Sequence, residues 1–357
     1  MFGEIYKGKK VFVTGITGFK GSWLAFWLQK LGATVIGYAL APPTSPSHFD
    51  LLELDVDFIQ ADICDAGKLE QSVKDSGAEI VFHLAAQPLV RLSYNEPVET
   101  FSTNVMGTLN LFEACRKSNS VRAIVNVTSD KCYENREWVW GYRENDPMGG
   151  YDPYSASKGC AELLTASYRN SYFNNSTYGK AHNTLLASCR AGNVIGGGDW
   201  AEDRLVPDIM RAVSRGEQVS IRNPYATRPW QHVLEPLGGY LMIGRKLLEG
   251  NFDYADGWNF GPADAASVSV KELVCDVKKY WNKIDFKLAE NPDNLHEANL
   301  LKLDCSKAHA KLKWQPVWDV AETFKRTVNW YRYFYEDGSI LTEKDIDEYE
   351  NNMDLGK

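Results

Sequence analysis

The chain has 357 residues, with 39 Lys plus Arg against 47 Asp plus Glu and a formal net charge of −8. With 44% hydrophobic and 24% charged residues it is neither disordered nor fibrous, and its acidic balance argues against a nucleic-acid surface. No run of about 18 apolar residues occurs, so no membrane-spanning helix is expected.

The opening MFGEIYKGKKVFVTG contains a strand and no apolar stretch of signal-peptide type, so none is expected. Seven cysteines (Cys64, Cys115, Cys132, Cys160, Cys189, Cys275 and Cys305) are scattered without CxxC pairs. They read as reduced thiols in a cytoplasmic protein, and no metal site is expected.

In chain order, short apolar runs predict strands over Lys10–Thr14, Thr34–Tyr38, Val56–Gln60, Ile80–Leu84, Val121–Thr128 and Thr184–Arg190. Helical patterns fall between them, over Ser22–Leu31, Pro97–Lys117 and Pro153–Phe173. In the second of these, Val98, Phe101, Val105, Leu109 and Phe112 form one apolar stripe. Alternation of this kind builds βαβ units on a parallel sheet. From Gly192 onward, Gly196-Gly197-Gly198 and Pro207, Pro224, Pro229 and Pro236 break the chain into short pieces. A loop-rich second lobe is expected there, interrupted by a helix over Glu235–Leu248, with a solvated helical extension from Glu336. Trp230, Trp258 and Trp314 read as core packing.

The first strand runs into Gly15-Ile16-Thr17-Gly18-Phe19-Lys20-Gly21, and a helix follows at once. Glycines let the backbone turn sharply against a pyrophosphate, which then rests on the positive helix N-terminus. The same segment is also compatible with a plain Gly-rich turn. Gly15, Thr17, Gly18, Phe19, Lys20 and Gly21 are therefore candidate dinucleotide-binding residues. Asp62 and Ile63, past the third strand, would hold and cover an adenine. Leu84, Ala85 and Ala86, after His83, are small or apolar where backbone would pass close to the dinucleotide. The acid that usually ends the second strand and holds the ribose is missing: Tyr38-Ala39-Leu40 stands there. No Arg follows to bind a 2′-phosphate, which favours NAD over NADP. Tyr38→Asp is expected to tighten binding if its side chain reaches the ribose.

Tyr154 and Lys158 are four residues apart at the start of a helix, so they share one face. A nearby ammonium lowers a phenol's pKa and lets it act as a base near neutrality. Together with the glycine loop and the Thr128-Ser129-Asp130 strand end, this pattern resembles the extended short-chain dehydrogenase/reductase family over nearly the whole chain. The likeness implies a Rossmann-type α/β fold: a doubly wound parallel sheet with a smaller, loop-rich substrate lobe. Residues 1–191, with a returning segment near 232–261, would form the dinucleotide-binding domain, and 192–231 with 262–357 the substrate lobe.

Within that family the chain is similar to the nucleoside-diphosphate-sugar 4,6-dehydratases, lyases whose Thr-Asp-Glu strand end corresponds to Ser129-Asp130-Lys131. The resemblance gives Ser129 the contact to the sugar 4-OH and Asp130 the protonation of the departing 6-OH. Lys131 departs from the family's Glu, the base for the C5 proton. It could serve only with its pKa brought towards neutrality, and otherwise polarises the 4-ketone. Lys131, with the stretches Asn193–Trp200 and Arg228–Val233, looks like the branch acting on CDP-glucose, which supplies deoxysugar precursors for lipopolysaccharide. The same likeness implies NAD as cofactor and a homodimer built through a bundle of helices Pro97–Lys117 and Pro153–Phe173; those faces could equally be buried within one chain.

Asn193, Arg204 and Arg228 are expected at the substrate pyrophosphate, since Arg offers a planar fork to phosphate and Asn can donate its amide, and His296, in the later loop, is expected to reach the nucleotide. Two rival readings remain: a 4-epimerase, which has no use for an acid at C6, and a non-catalytic cofactor sensor, which has no need of an intact Tyr/Lys pair.

Overall fold

The structure, a computed structural model, describes residues 2–221, 223–263, 267–288 and 300–355. Seven strands form one sheet: β1 (Lys10–Thr14), β2 (Thr34–Ala39), β3 (Asp57–Gln60), β4 (Ile80–His83), β5 (Ala123–Val127), β6 (Leu185–Arg190) and β7 (Gly257–Asn259), in the order β7-β6-β5-β4-β1-β2-β3. Every neighbouring pair is parallel. The central strands β4, β5 and β6 are buried along their whole length, as expected of strands covered on both faces. Chain order reverses between β1 and β4, which opens a crevice beyond their carboxyl ends, where open α/β sheets bind ligands. The sheet is the expected doubly wound Rossmann type.

Helices α1 (Phe19–Lys30), α2 (Ala66–Ser76), α3 (Gly107–Lys117) and α4 (Pro153–Ser171) follow β1, β3, β4 and β5. One face of the sheet buries Trp23, Leu24 and Trp27 of α1, and the other packs Phe12 and Tyr38 against Leu111 and Phe112 of α3. The segment read as one helix from Pro97 to Lys117 is not regular: Ser102–Met106 is a π-turn between Pro97–Phe101 and α3. The extra residue turns Asn104 inward. There its Oδ1 accepts from Gln87 N at 2.9 Å, and its Nδ2 donates to Gln87 O and to Ser157 Oγ of α4 at 3.1 and 2.8 Å. The apolar stripe is split accordingly, with Phe112 buried and Val98 79% exposed.

From Gly192 onward the chain is more helical than its Gly/Pro texture suggests, with α5 (Leu205–Arg215), α6 (Leu234–Leu248), α7 (Val270–Tyr280), α8 (Val320–Asp337) and α9 (Thr342–Leu355). Pro207 and Pro236 fall in first helical turns, where a missing N–H costs nothing. Nor is the acidic tail a mere solvated extension. In α9, Ile346 and Tyr349 are fully buried, and Tyr349 OH donates to Glu235 of α6 at 2.8 Å. The same carboxylate accepts from the backbone N–H groups of Val317 and Trp318. Trp230, Trp258 and Trp314 are buried, as their type suggests. Among the described residues no helix is long and apolar enough to cross a membrane.

Candidate active site

The glycine loop is shaped by contact. Gly15 has φ +69°, and a Cβ there would come 2.6 Å from Ala85 N. A Cβ at Gly21 would strike the Gly15 carbonyl, so α1 starts directly against the loop. Thr14 Oγ1 accepts from Leu84 N and Ala85 N at 3.2 Å, tying the end of β1 to the end of β4. The N-terminus of α1 has Gly18 as its cap residue, no side-chain cap and no acid in its first turn. That leaves N–H groups and the positive end of the helix for a phosphate. Thr17 Oγ1 donates to Leu40 O at 3.1 Å, and Phe19 packs towards Gly196. This narrow, uncapped cradle fits a dinucleotide pyrophosphate.

On the adenine side, Asp62 is exposed with one carboxylate oxygen on Cys64 N at 2.8 Å, while Ile63 is buried beneath Gly107. Ala86 is half-buried beside Ala85. Tyr38 is turned into the core. It is fully buried with its ring 5.9 Å from Phe12, and its hydroxyl donates to Asp62 O at 2.9 Å. The condition attached to Tyr38→Asp is therefore not met. Two histidines near the loops are structural pegs: His83 bridges Thr14 and Thr108, and His48 bridges Ser22 and Thr342. Burial lowers both to about 3, so they are neutral.

Beyond β5 the chain turns through Ser129, Asp130 and Lys131. Ser129 Oγ donates to Asp130 Oδ1 at 2.9 Å and accepts from Lys131 N at 3.2 Å, which fixes the turn. Asp130 is buried, and its carboxylate lies over the Cα of Gly192; a Cβ there would overlap it. Lys131 is half-buried.

Asp152 caps α4 through Ser155 N at 2.9 Å, and Ser93 Oγ accepts from Tyr154 N at 3.1 Å, so the first turn of α4 is held from two sides. Burial pushes Tyr154 up to about 12; the Ser129 hydroxyl pulls it down, Asp130 raises it and Arg204 lowers it. Burial is the largest influence on this phenol. Lys158 is itself lowered to about 8 by burial, against the opposing charge of Glu162.

Arg204 precedes α5 and pairs with Asp199 at 2.9 Å. It was expected at a pyrophosphate, yet it lies in the field of Tyr154 and Lys20. Lys20, half-buried, is lowered to about 8, first by burial and then by Arg204, with Asp130 opposing. The structure thus brings Ser129, Asp130, Tyr154, Lys158, Lys20 and Arg204 together at the crevice mouth. Asn193 stands next to Gly192 with φ +51°, its carbonyl accepting from Gln231 N at 3.2 Å. Arg228 lies on the ribbon Thr227–Pro229 paired with Ser267–Ser269, and its Nη1 donates to Thr227 O at 3.1 Å. His296 lies outside the described residues.

Sequence reasoning passed over Glu162 and Arg190, a buried ion pair of 2.7 Å beneath this centre. Glu162 was findable, being four residues past Lys158 on the same helix face. Arg190, closing the apolar strand LLASCR, carried no local signal beyond being a charge where a buried strand ends.

Residues 12–327 match the family model described as GDP-mannose 4,6 dehydratase. The chain is 53% identical over 351 residues to the CDP-glucose 4,6-dehydratase of Salmonella typhimurium, covering 97% of each chain. Among solved structures it is similar to an epimerase from Methanothermobacter thermautotrophicus, with TM-score 0.80, 23% identity and 96% of each chain covered. It is also similar to MoeE5 in complex with UDP-glucuronic acid and NAD, with TM-score 0.75, 25% identity, and 90% of this chain and 99% of that one covered.

Proposed function

The chain belongs to the GDP-mannose 4,6-dehydratase family, and on that footing we propose that it is a lyase converting CDP-glucose to CDP-4-keto-6-deoxyglucose with NAD as cofactor. One observation carries the reaction type: a buried carboxylate, Asp130, accepts from the Ser129 hydroxyl at 2.9 Å and stands in the field of Tyr154. A 4-epimerase needs the tyrosine but no acid. The cytidine preference rests on likeness to the Salmonella enzyme.

Gly15, Gly18 and Gly21 with the α1 N-terminus would hold the NAD pyrophosphate, with Thr17, Phe19 and Lys20 around it. Asp62 and Ile63 would flank the adenine, and Leu84, Ala85 and Ala86 would line the path between. Bound there, NAD supplies reversible two-electron storage and ends as it began. The remaining chemistry falls to side chains. Tyr154 accepts the 4-OH proton, with Ser129 orienting that hydroxyl and Lys158 supplying positive charge from the same face. Oxidation at C4 acidifies the C5 proton, which Lys131 takes up as the base or, where Lys131 only polarises the ketone, which passes to solvent water. Asp130 delivers a proton to the departing 6-OH; general acid help of this kind contributes about 10²–10⁴ in rate. Asn193, Arg204, Arg228 and His296 are assigned to the substrate diphosphate and nucleotide.

The domain division follows the sheet: residues 1–191 with the returning 232–261 carry all seven strands and would bind the dinucleotide, leaving 192–231 and 262–357 to the sugar nucleotide. We read the protein as a homodimer through the helices around Pro97–Lys117 and α4, supported by apolar side chains left in water there, Val98 at 79% and Leu163 at 62% exposure. Seven free cysteines support a cytoplasmic setting, and the product would feed lipopolysaccharide deoxysugars. The test offers purified protein CDP-glucose, dTDP-glucose and GDP-mannose and follows the 4-keto chromophore in alkali. Chromophore from CDP-glucose alone is the expected result; an interconverted 4-epimer without chromophore would overturn the reading.

A further inference from the structure

Glu162 and Arg190 are both buried, on α4 and at the end of β6, with Glu162 Oε2 2.7 Å from Arg190 Nη2. A buried pair of this kind is weak evidence for stability, because desolvating two ions offsets their attraction. Its connections say more about its purpose. Glu162 also accepts from Thr128 Oγ1 and, at 2.8 Å, from Ser188 Oγ. Arg190 Nη1 donates to Tyr133 OH at 2.6 Å and to Glu144 O at 3.0 Å. Tyr133 OH donates onward to Asn259 Oδ1 of β7 at 2.7 Å. Space for the guanidinium depends on Gly257, where a Cβ would come 2.7 Å from Arg190 Nη2.

Thr128 is the residue before Ser129, and Tyr133 is the residue after Cys132. The ion pair therefore grips both ends of the turn that carries Ser129, Asp130 and Lys131, and its carboxylate stands one helical turn beyond Lys158. We propose that Glu162–Arg190 is a positioning pair for the reaction: it sets the placement of the Ser129–Cys132 turn against Tyr154 and places the counter-charge for Lys158. This rests on the reading that Tyr154 and Lys158 are the reacting pair.

The charge part is supported by Lys158, which burial lowers and Glu162 raises. The other groups facing Lys158 are Cys132 of the turn, His83 of β4 and Lys20 of α1. Of these, Glu162 is the one resident carboxylate that counters its burial among the described residues.

Two variants of the full chain separate geometry from charge. Thr128→Val keeps the ion pair and frees one end of the turn. It is expected to lower kcat on CDP-glucose about tenfold or more, since small misplacements of reacting groups are costly, while KM stays within about twofold and the melting temperature changes little. Glu162→Gln keeps an acceptor for Thr128 and Ser188 but removes the charge. Lys158 then loses its proton more easily, and the alkaline limb of the kcat profile is expected to move down by about one pH unit. Should Glu162→Gln fail to fold, Thr128→Val decides alone. Folded variants with wild-type kcat and an unmoved pH profile, differing only in melting temperature, would overturn the proposal and leave the pair as scaffolding. Tyr154→Phe run alongside keeps the two readings apart. If it turns over normally, the assignment of the reacting tyrosine fails, whatever the other variants do; if it is inactive while both others are normal, only the positioning role fails.

Discussion

Gly192→Ala is the most direct probe of Asp130. The glycine has an ordinary backbone conformation, so alanine there is not strained by φ. What it meets is the Asp130 carboxylate: the new methyl would overlap Cγ and both oxygens. Carbon atoms pack at about 3.5–4.0 Å, so the carboxylate has to retreat by at least about 1 Å, and its bond to Ser129 Oγ is lost or turned. Overpacking a well-filled site costs about 1–3 kcal/mol, a loss the fold should survive. A misplacement of about 1 Å costs on the order of 10²-fold in rate, equivalent to about 2.7 kcal/mol in the barrier. Tyr154 and Lys158 are untouched, so oxidation at C4 should proceed and elimination should lag. The assay mixes the variant with NAD and CDP-glucose and follows reduced dinucleotide by absorbance alongside the 4-keto product. Build-up of the reduced form with product slowed about 10²-fold is the expected outcome. A folded variant that dehydrates at full rate with no build-up would remove Asp130 from the elimination step.

Lys131→Ala distinguishes base from electrostatic aid: exchange of the C5 proton with solvent deuterium should vanish if Lys131 is the base, and retained exchange would leave it polarising the ketone. Glu235 is raised from 4.5 to about 7 by burial, despite its bonds to Val317 N, Trp318 N and Tyr349 OH. Its folded-state preference for the proton is fully favourable below the unfolded pKa and is lost as pH rises through about 7. Glu235→Gln should therefore flatten the fall in stability between pH 5 and pH 8 by up to roughly 3 kcal/mol, read from denaturant melts; an unchanged slope would show that the carboxyl is already ionised when folded. Tyr38→Asp should lower the melting temperature without tightening NAD, because it buries a carboxylate near Asp62 and Asp65 and forfeits the bond to Asp62 O. Tighter NAD binding by fluorescence titration would show that the side chain can swing to the ribose after all.

Local pattern determined much of this protein. Apolar runs of strand length placed six of the seven strands of the sheet to within two residues at each end, and Gly15-x-x-Gly18-x-x-Gly21 between β1 and α1 announced a phosphate-binding turn. The four-residue spacing of Tyr154 and Lys158 put them on one face, since helix periodicity depends on nothing outside the helix. Tertiary structure alone decided the rest, because those features join residues far apart in sequence. Asp130 meets Gly192 across 62 positions, Thr128 meets Glu162 across 34, and Tyr349 meets Glu235 across 114. Tyr38 looked free to face a ribose until packing against Phe12 and the Asp62 carbonyl turned it into the core. Arg204 is drawn by Asp199 into the field of Tyr154, and Pro207 sits in a helix because its place in the first turn excuses it from donating. The strand Gly257–Asn259 is three residues long, too short for periodicity to show, and exists because the edge of β6 offers it a partner. Sequence periodicity reports which face a side chain takes within its own element; which partner it meets there is set by how the sheet and helices close on one another.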